Sequence, residues 1–459
     1  MDITFIGAAQ TVTGSLHLFE YEKQKFILEC GLFQGHREEA ERINRTFPFK
    51  PKDIHAVILS HAHIDHSGNL PNLVQRGFSG PIYCTAATKD VATLLLADSA
   101  KIQEYDLAYL NKKRKKSGLP PKELLYTQAD VDSTVKLLTP VAYETQFEPV
   151  KGVKARLFDA GHILGSSVIL LEAEGKKILF SGDLGRKGMP IIRDPTPVKD
   201  IDYLITESTY GGRTHKSFEG MTDEFKEIID RGRKKRSKII IPAFAVERTQ
   251  VLVSMLKNLY DEGVLEDVPV YVDSPLATNV TDVFRRHPEC FDKETRKILE
   301  DSDPFNFPGL HYVKDNEESK RLNAQHGPMI IMSASGMCEG GRVVHHLIHS
   351  IEDERNIIVI TGFQARGTLG RKILEENKSV YIFNDEYAVR AKVYFMGGLS
   401  AHADGSDIIE YIQNCDGSSL KKIYLIHGDI EESIALQQKI ESRFSIDADI
   451  PQSMTRVSV

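Results

Sequence analysis

The sequence predicts an α/β protein whose first domain is interrupted by a second one built on a parallel sheet. Three observations lead there. Short apolar runs, partly β-branched, end one after another in histidines and carboxylates. Beyond residue 208, helical segments alternate with apolar strand-like ones, the pattern of a parallel α/β sheet. The last part returns to short strands closed by histidine loops. The expected organisation is therefore a first domain over 1–208, an inserted domain over 209–395 and a return segment over 396–459.

Taken in order, residues 3–6, 15–21 and 24–29 read as strands separated by small-residue turns. Met1-Asp2-Ile3-Thr4-Phe5-Ile6-Gly7 carries no basic flank, so no signal peptide is expected. Residues 55–60 form an apolar strand that opens into Ser60-His61-Ala62-His63-Ile64-Asp65-His66-Ser67-Gly68. Three imidazoles and a carboxylate within six residues are good ligands for a borderline-soft divalent metal, and burying them without one is costly. His61 and His63, two apart, can converge on one ion, while Asp65 and His66 turn toward a second. Gly68-Asn69-Leu70-Pro71 then opens a helix. From 88 to 138 the pattern is helical, with a basic run at 112–116 before Gly118 and Pro120-Pro121. That run reads as a solvated helix end, with phosphate contact as the alternative. A hairpin around Glu174-Gly175 joins strands 167–172 and 177–180 and delivers Asp183 at a strand end. Residues 202–207 repeat the geometry and end in Glu207.

In the insert, helices over 218–231 and 248–260 alternate with strands over 238–241, 268–272, 329–332 and 357–360. Six of the eight residues at 231–238 are basic, a solvated helix end or a track for an RNA backbone. His345 and His349 lie four apart on a helix, but no third ligand accompanies them. Strands 392–395 and 422–426 are expected to return to the first domain, each ending at a histidine loop, with His402 and His427.

With 459 residues, 41% hydrophobic and 27% charged, the composition is that of a globular protein with two or three cores. No run approaches the ~20 apolar residues of a membrane span, so no membrane association is expected. Five scattered cysteines without a CxxC argue for the reducing cytoplasm and against a structural zinc knuckle. A net charge of −7 does not advertise a nucleic-acid binder, but two divalent cations would add four positive charges to that count.

His61-x-His63-x-Asp65-His66, followed by Asp159-Ala160-Gly161-His162 and Phe180-Ser181-Gly182-Asp183, resembles the ordered motifs of the metallo-β-lactamase superfamily. Gly7 to Gly14, Glu207, the 402 and 427 loops and the loops of the insert narrow the resemblance to its β-CASP RNA-processing nucleases, over nearly the whole chain. The resemblance implies an αββα sandwich with an inserted β-CASP cap. It also implies two Zn2+ ions, with Mn2+ able to replace them: one held by His61, His63 and His162, the other by Asp65, His66 and His427, with Asp183 bridging. It further implies a ribonuclease acting on single-stranded RNA in a cleft between the domains, with a metal-bridging hydroxide as nucleophile. Asp65 and Asp183 then serve catalysis through the metals, while His402 is the general acid, oriented by Glu207. Ser335 and Gly336, Arg248, and Arg366 correspond to segments that face the substrate. His427 favours RNA, because DNA-acting members have an aliphatic residue there. Glu29 departs from the family's usual aspartate, thought to brace the metal loop, and the extra methylene puts that brace in question. Endonucleolytic cleavage is the first reading. The alternatives are a 5′-exoribonuclease, a hydrolase of small molecules and a non-catalytic scaffold. The insert and the Glu207/His402 pair argue against the second of these, and the full set of seven ligands against the third. No further C-terminal domain or N-terminal RNA-binding module is expected. A homodimer remains open.

Overall fold

The computed structural model describes all residues except Glu266, Phe363, Arg366, Glu376 and 416–418. The chain forms two compact units: Met1–Lys187, Asp194–Thr214 and His402–Val459 in the first, Gly188–Arg193 and His215–Ala401 in the second. No helix among the described residues is long and apolar enough to cross a membrane.

In the first unit, two seven-stranded sheets face each other between helices. One sheet runs in the order Thr455–Ser458, Asp2–Gly7, Leu16–Tyr21, Gln24–Leu28, Ala56–Ile58, Ile82–Cys84, Leu138–Pro140. The other runs Asp447–Asp449, Lys422–Ile426, Tyr203–Glu207, Lys176–Phe180, Ser167–Ala173, Val153–Asp159, Phe147–Val150. The period-two alternation of a strand explains the layering. On Ser167–Ala173, Ile169 and Leu171 enter the core between the sheets with Phe5, Phe26 and Phe180. Val168 and Leu170 point the other way, into a core shared with helices Gly405–Cys415 and Ile430–Phe444. On Gln24–Leu28, Phe26 and Leu28 join the central core while Ile27 packs outward toward helix Leu70–Gln75. Strands buried on both faces read as continuous apolar runs, as these do.

In the second unit, six parallel strands run in the order Leu310–Tyr312, Val270–Val272, Met329–Ser333, Lys238–Pro242, Ile357–Ile360, Lys392–Phe395, beside a hairpin of Ser379–Ile382 and Asp385–Ala388. This corrects one expectation. Lys392–Phe395 does not return to the first unit; it pairs in parallel with Ile357–Ile360 along its whole length, as the edge of the second sheet. Lys392 N–H also donates to Asn356 O, and Met396 N–H to Ile360 O. Its exposed ends suit an edge strand.

Asp273, fully buried just beyond Val270–Val272, ties this unit together. Its Oδ1 accepts from Arg342 Nη1 at 2.6 Å, and its Oδ2 from Ser319 Oγ at 2.5 Å and His346 Nε2 at 2.6 Å. Removing one partner of a buried ionic cluster strands the others. Asp273→Ala should therefore cost about 3–5 kcal/mol, seen as a lower urea midpoint. An unchanged midpoint would show that the cluster contributes nothing net.

Candidate metal centre

The strand ends of the first unit converge. His61 and His63 follow strand Ala56–Ile58 through Leu59 and Ser60, and Asp65 and His66 lie on a single helical turn, Ile64–Ser67. His162 follows Val153–Asp159, Asp183 follows Lys176–Phe180, Glu207 ends Tyr203–Glu207, and His427 follows Lys422–Ile426. Pairing makes these four strands run in one direction, so their carboxyl ends share an edge of the sheet. That edge is where α/β folds place their sites.

His61 Nε2 approaches His63 Nδ1 to 3.1 Å, and His63 Nδ1 lies 3.2 Å from His162 Nε2. Asp183 Oδ2 is 3.5 Å from both His61 Nε2 and His162 Nε2. Tetrahedral ligands about 2.0–2.2 Å from a metal stand ~3.3–3.6 Å apart, so the four donors match the edges of such a site. A second group follows. His66 Nε2 and His427 Nε2 are 3.1 Å apart, and Asp65 Oδ2 lies 3.5 Å from His427 Nε2 and 3.9 Å from His66 Nε2. Asp183 reaches this group with its other oxygen, Oδ1, which is 3.3 Å from His66 Nε2. That oxygen is buried and has no hydrogen-bond partner among the described residues, a state that a cation relieves. The residues fit divalent metal ions on both sides of Asp183.

Three of the rings are held from behind. Ser60 Oγ lies 2.9 Å from His61 Nδ1, Glu29 Oε2 2.7 Å from His66 Nδ1, and Thr209 Oγ1 3.2 Å from His427 Nδ1, leaving each Nε2 to face the site. Nothing in the spacing singles out Ser60 or Thr209, although each adjoins a ligand or a strand end. Glu29 also accepts the Ser60 N–H at 2.6 Å with Oε1, so its carboxylate spans loop backbone and ligand ring despite the extra methylene. The stretch after Glu29 straps the one-turn helix: Cys30 N–H donates to His66 O and Leu32 N–H to Ile64 O. Gly31 sits so close that a Cβ would lie 1.6 Å from Asp65 O, which excludes any other residue.

Electrostatics divide the two donor groups: burial lowers His66, but Asp183 and Asp65 outweigh it and hold its ring well above the imidazole range, while the first group goes the other way. Burial pushes His61 well below the imidazole range and His63 down to about 4, keeping both neutral, as ligands must be. Burial alone would raise the Asp183 carboxyl, but the surrounding histidines hold it well below the carboxylate range.

His402 lies beside the clusters. Its Nδ1 is 2.9 Å and 3.2 Å from the two Glu207 oxygens and 3.8 Å from Asp183 Oδ2. Burial lowers its pKa, but Glu207 and Asp183 outweigh that and raise it to about 9. Glu207 also accepts the Leu184 N–H at 2.6 Å, which fixes its carboxylate. The structure thus gathers the seven candidate ligands, Glu207 and His402 in the first unit. The remaining candidates lie in the second unit. Ser335 and Gly336 follow strand Met329–Ser333, and Gly336 O accepts from Gln364 Nε2 at 2.9 Å. Arg248 is buried at the start of helix Arg248–Asp261 and donates to Thr361 O at 2.7 Å, so its guanidinium is part of the scaffold at these strand ends. Arg366 lies outside the described residues.

Residues 11–230 match the metallo-beta-lactamase superfamily, 249–373 the Beta-Casp domain, and 386–451 the Zn-dependent metallo-hydrolase RNA specificity domain. A ribonuclease of Thermus thermophilus is 35% identical over 445 residues, 96% of each chain. The chain belongs to the β-CASP branch of the metallo-β-lactamase superfamily. As a β-CASP protein it is a metal-dependent hydrolase. The transcription termination factor FttA of Methanocaldococcus jannaschii is 29% identical over 469 residues, covering 100% of this chain and 71% of that one. The crystal structure of a protein of unknown function from Enterococcus faecalis shares the β-CASP protein's fold, with a TM-score of 0.56 at 14% identity over 100% of this chain and 99% of that one.

Glu29→Gln keeps an acceptor for the Ser60 N–H but loses the carboxylate that pairs with His66. It should weaken metal binding by about 10–100-fold in chelator competition. Unchanged affinity would mean that the His66 ring is oriented by its packing alone.

Proposed function

We propose that the chain is a ribonuclease that hydrolyses phosphodiester bonds within single-stranded RNA, with His402 protonating the leaving oxygen. The observation that carries this is the Glu207–His402 pair set against the Asp183-bridged donor clusters. A hydrolase of activated or small acyl substrates needs the metals but no such positioned acid; a phosphodiester with an alkoxide leaving group does. The match to an RNA specificity domain and the likeness to a named ribonuclease support RNA as the substrate.

His61, His63, His162 and Asp183 would hold one ion, and Asp65, His66, His427 and the second oxygen of Asp183 the other. The nitrogen-rich donor set suits Zn2+, with Mn2+ as a substitute. Bound there, the pair supplies Lewis acidity at phosphorus and acidifies the attacking water. The remaining work falls to the chain. Glu207 engages His402 Nδ1, fixes the ring and favours the imidazolium, so the proton for the departing oxygen comes from Nε2. Five buried cysteines suit a cytoplasmic protein.

Elemental analysis should find about two ions per chain, and Asp183→Ala should abolish hydrolysis. His402→Ala should slow RNA cleavage by roughly 10²–10⁴-fold, leave metal content unchanged and spare an activated aryl phosphodiester, which needs no proton. Loss of a metal, or equal slowing of both substrates, would make His402 a ligand or a phosphate clamp. Cutting of circular RNA separates the endonuclease from a 5′-exonuclease, which would leave the circle intact.

A further inference from the structure

The helix Ala86–Lys116 is 31 residues long, roughly 46 Å, and its two halves differ. Ala87, Thr88, Val91, Ala92, Leu95, Leu96 and Ala100 are buried, and none beyond Ala100 is. The distal half is covered on one side by the returning chain. Asn111 exchanges hydrogen bonds with the backbone of Lys122 at 2.9 Å, and Arg114 Nε donates to Pro120 O at 2.7 Å. Gln103, Leu107 and Leu110 share that half-buried side.

The opposite side stays open. Ile102, Tyr105, Tyr109, Lys112 and Lys116 follow one another at steps of three and four, and Lys113 lies four beyond Tyr109, which places all six on one stripe roughly 21 Å long. Tyr105 is 79% exposed, Tyr109 58% and Ile102 54%. Lys113 Nζ sits 4.5 Å from the Tyr109 ring centroid. Lys101 extends the stripe at one end. Glu104 and Asp106 flank it, leaving a surplus of cations that grows toward the helix end, in a chain whose net charge is −7.

We propose that this stripe is a second holding surface for single-stranded RNA, distinct from the metal centre. This rests on RNA being the substrate. Two exposed rings offer stacking platforms for any base, and lysines alongside them pair with the backbone between bases, the combination that binds single strands without reading sequence. A protein partner would bury such rings as well, but nothing in that role calls for lysines concentrated along the same stripe. The surface is also placed to matter. Thr85 and Thr88 at the helix start both donate to Gly165 O at 2.8 Å, on the loop that carries His162. The helix therefore holds a bound strand at a fixed distance from that loop, and only a strand long enough to span both places gains from it.

The test is rapid filter binding of short and long oligouridylates to the full chain at several salt concentrations. Tyr105→Ala with Tyr109→Ala should weaken binding of the long strand at least ~5-fold, the low end of one lost stacking contact. Lys112→Ala, Lys113→Ala and Lys116→Ala together should make the slope of log affinity against log salt shallower by about 2. The short strand should bind and be cut as by the wild type. All these side chains are exposed, so the melting midpoint should hold. Unchanged long-strand affinity overturns the proposal, as does equal loss on short and long strands. A changed oligomeric mass with unchanged RNA affinity also overturns it and marks a protein contact. A wild type that binds the long strand through the stripe but cuts no RNA would instead overturn the proposed reaction and leave the stripe standing.

Discussion

The first unit is built around one electrostatic requirement: five imidazole nitrogens and two carboxylates must face each other at 3.1–3.9 Å in a buried space. Lone pairs brought so close repel, and no fold of neutral side chains would hold them there for its own stability. The geometry is held from outside instead. Ser60, Glu29 and Thr209 engage the far sides of the His61, His66 and His427 rings, so rotation of any of these three away from its neighbours costs a hydrogen bond. Asp183 is the common term, since one carboxylate oxygen faces each cluster.

The backbone carries part of this cost. Glu29 and His427 have φ of 64° and 48°, in the left-handed region that ordinary side chains avoid, and Gly161 and Gly182 take the same region next to His162 and Asp183. Such conformations persist only where the surroundings over-determine them. Here they do: His427 N–H donates to Ala8 O, and Thr209 Oγ1 donates to His427 O. The strained residues coincide with the ends of buried strands, where rigid sheets meet loops that must turn sharply to present a ligand.

This explains what could be read from the sequence and what could not. Candidate ligands clustered after an apolar run are visible because both the strand and the donors are local: His61 to His66, His162 and Asp183 all show that pattern. The pairing of Glu207 with His402 spans 195 positions and came only through resemblance to a family. The hydroxyls of Ser60 and Thr209 escape notice because serine and threonine at strand ends are ordinary. Asp273 carries no local mark at all, since its partners lie on helices 46 to 73 residues further on. The assignment of Lys392–Phe395 to the first unit failed for a related reason. An edge strand shows one neighbour's worth of pattern, and the sequence does not say whose edge it is.

The long helix shows how such a site can extend its reach without lengthening its loops. Its first half belongs to the core, with Leu96 and Ala100 packed against Tyr126, Val131 and Ile64, the residue between His63 and Asp65. Its second half contributes nothing to that core, yet the chain spends sixteen further residues on it and covers only one side. If solubility alone were at stake, charged side chains would suit the open side better than two tyrosines and an isoleucine. Exposed rings spaced along a rigid helix, with lysines alongside and the root fixed to the metal loops, make sense when something planar and anionic lies across them.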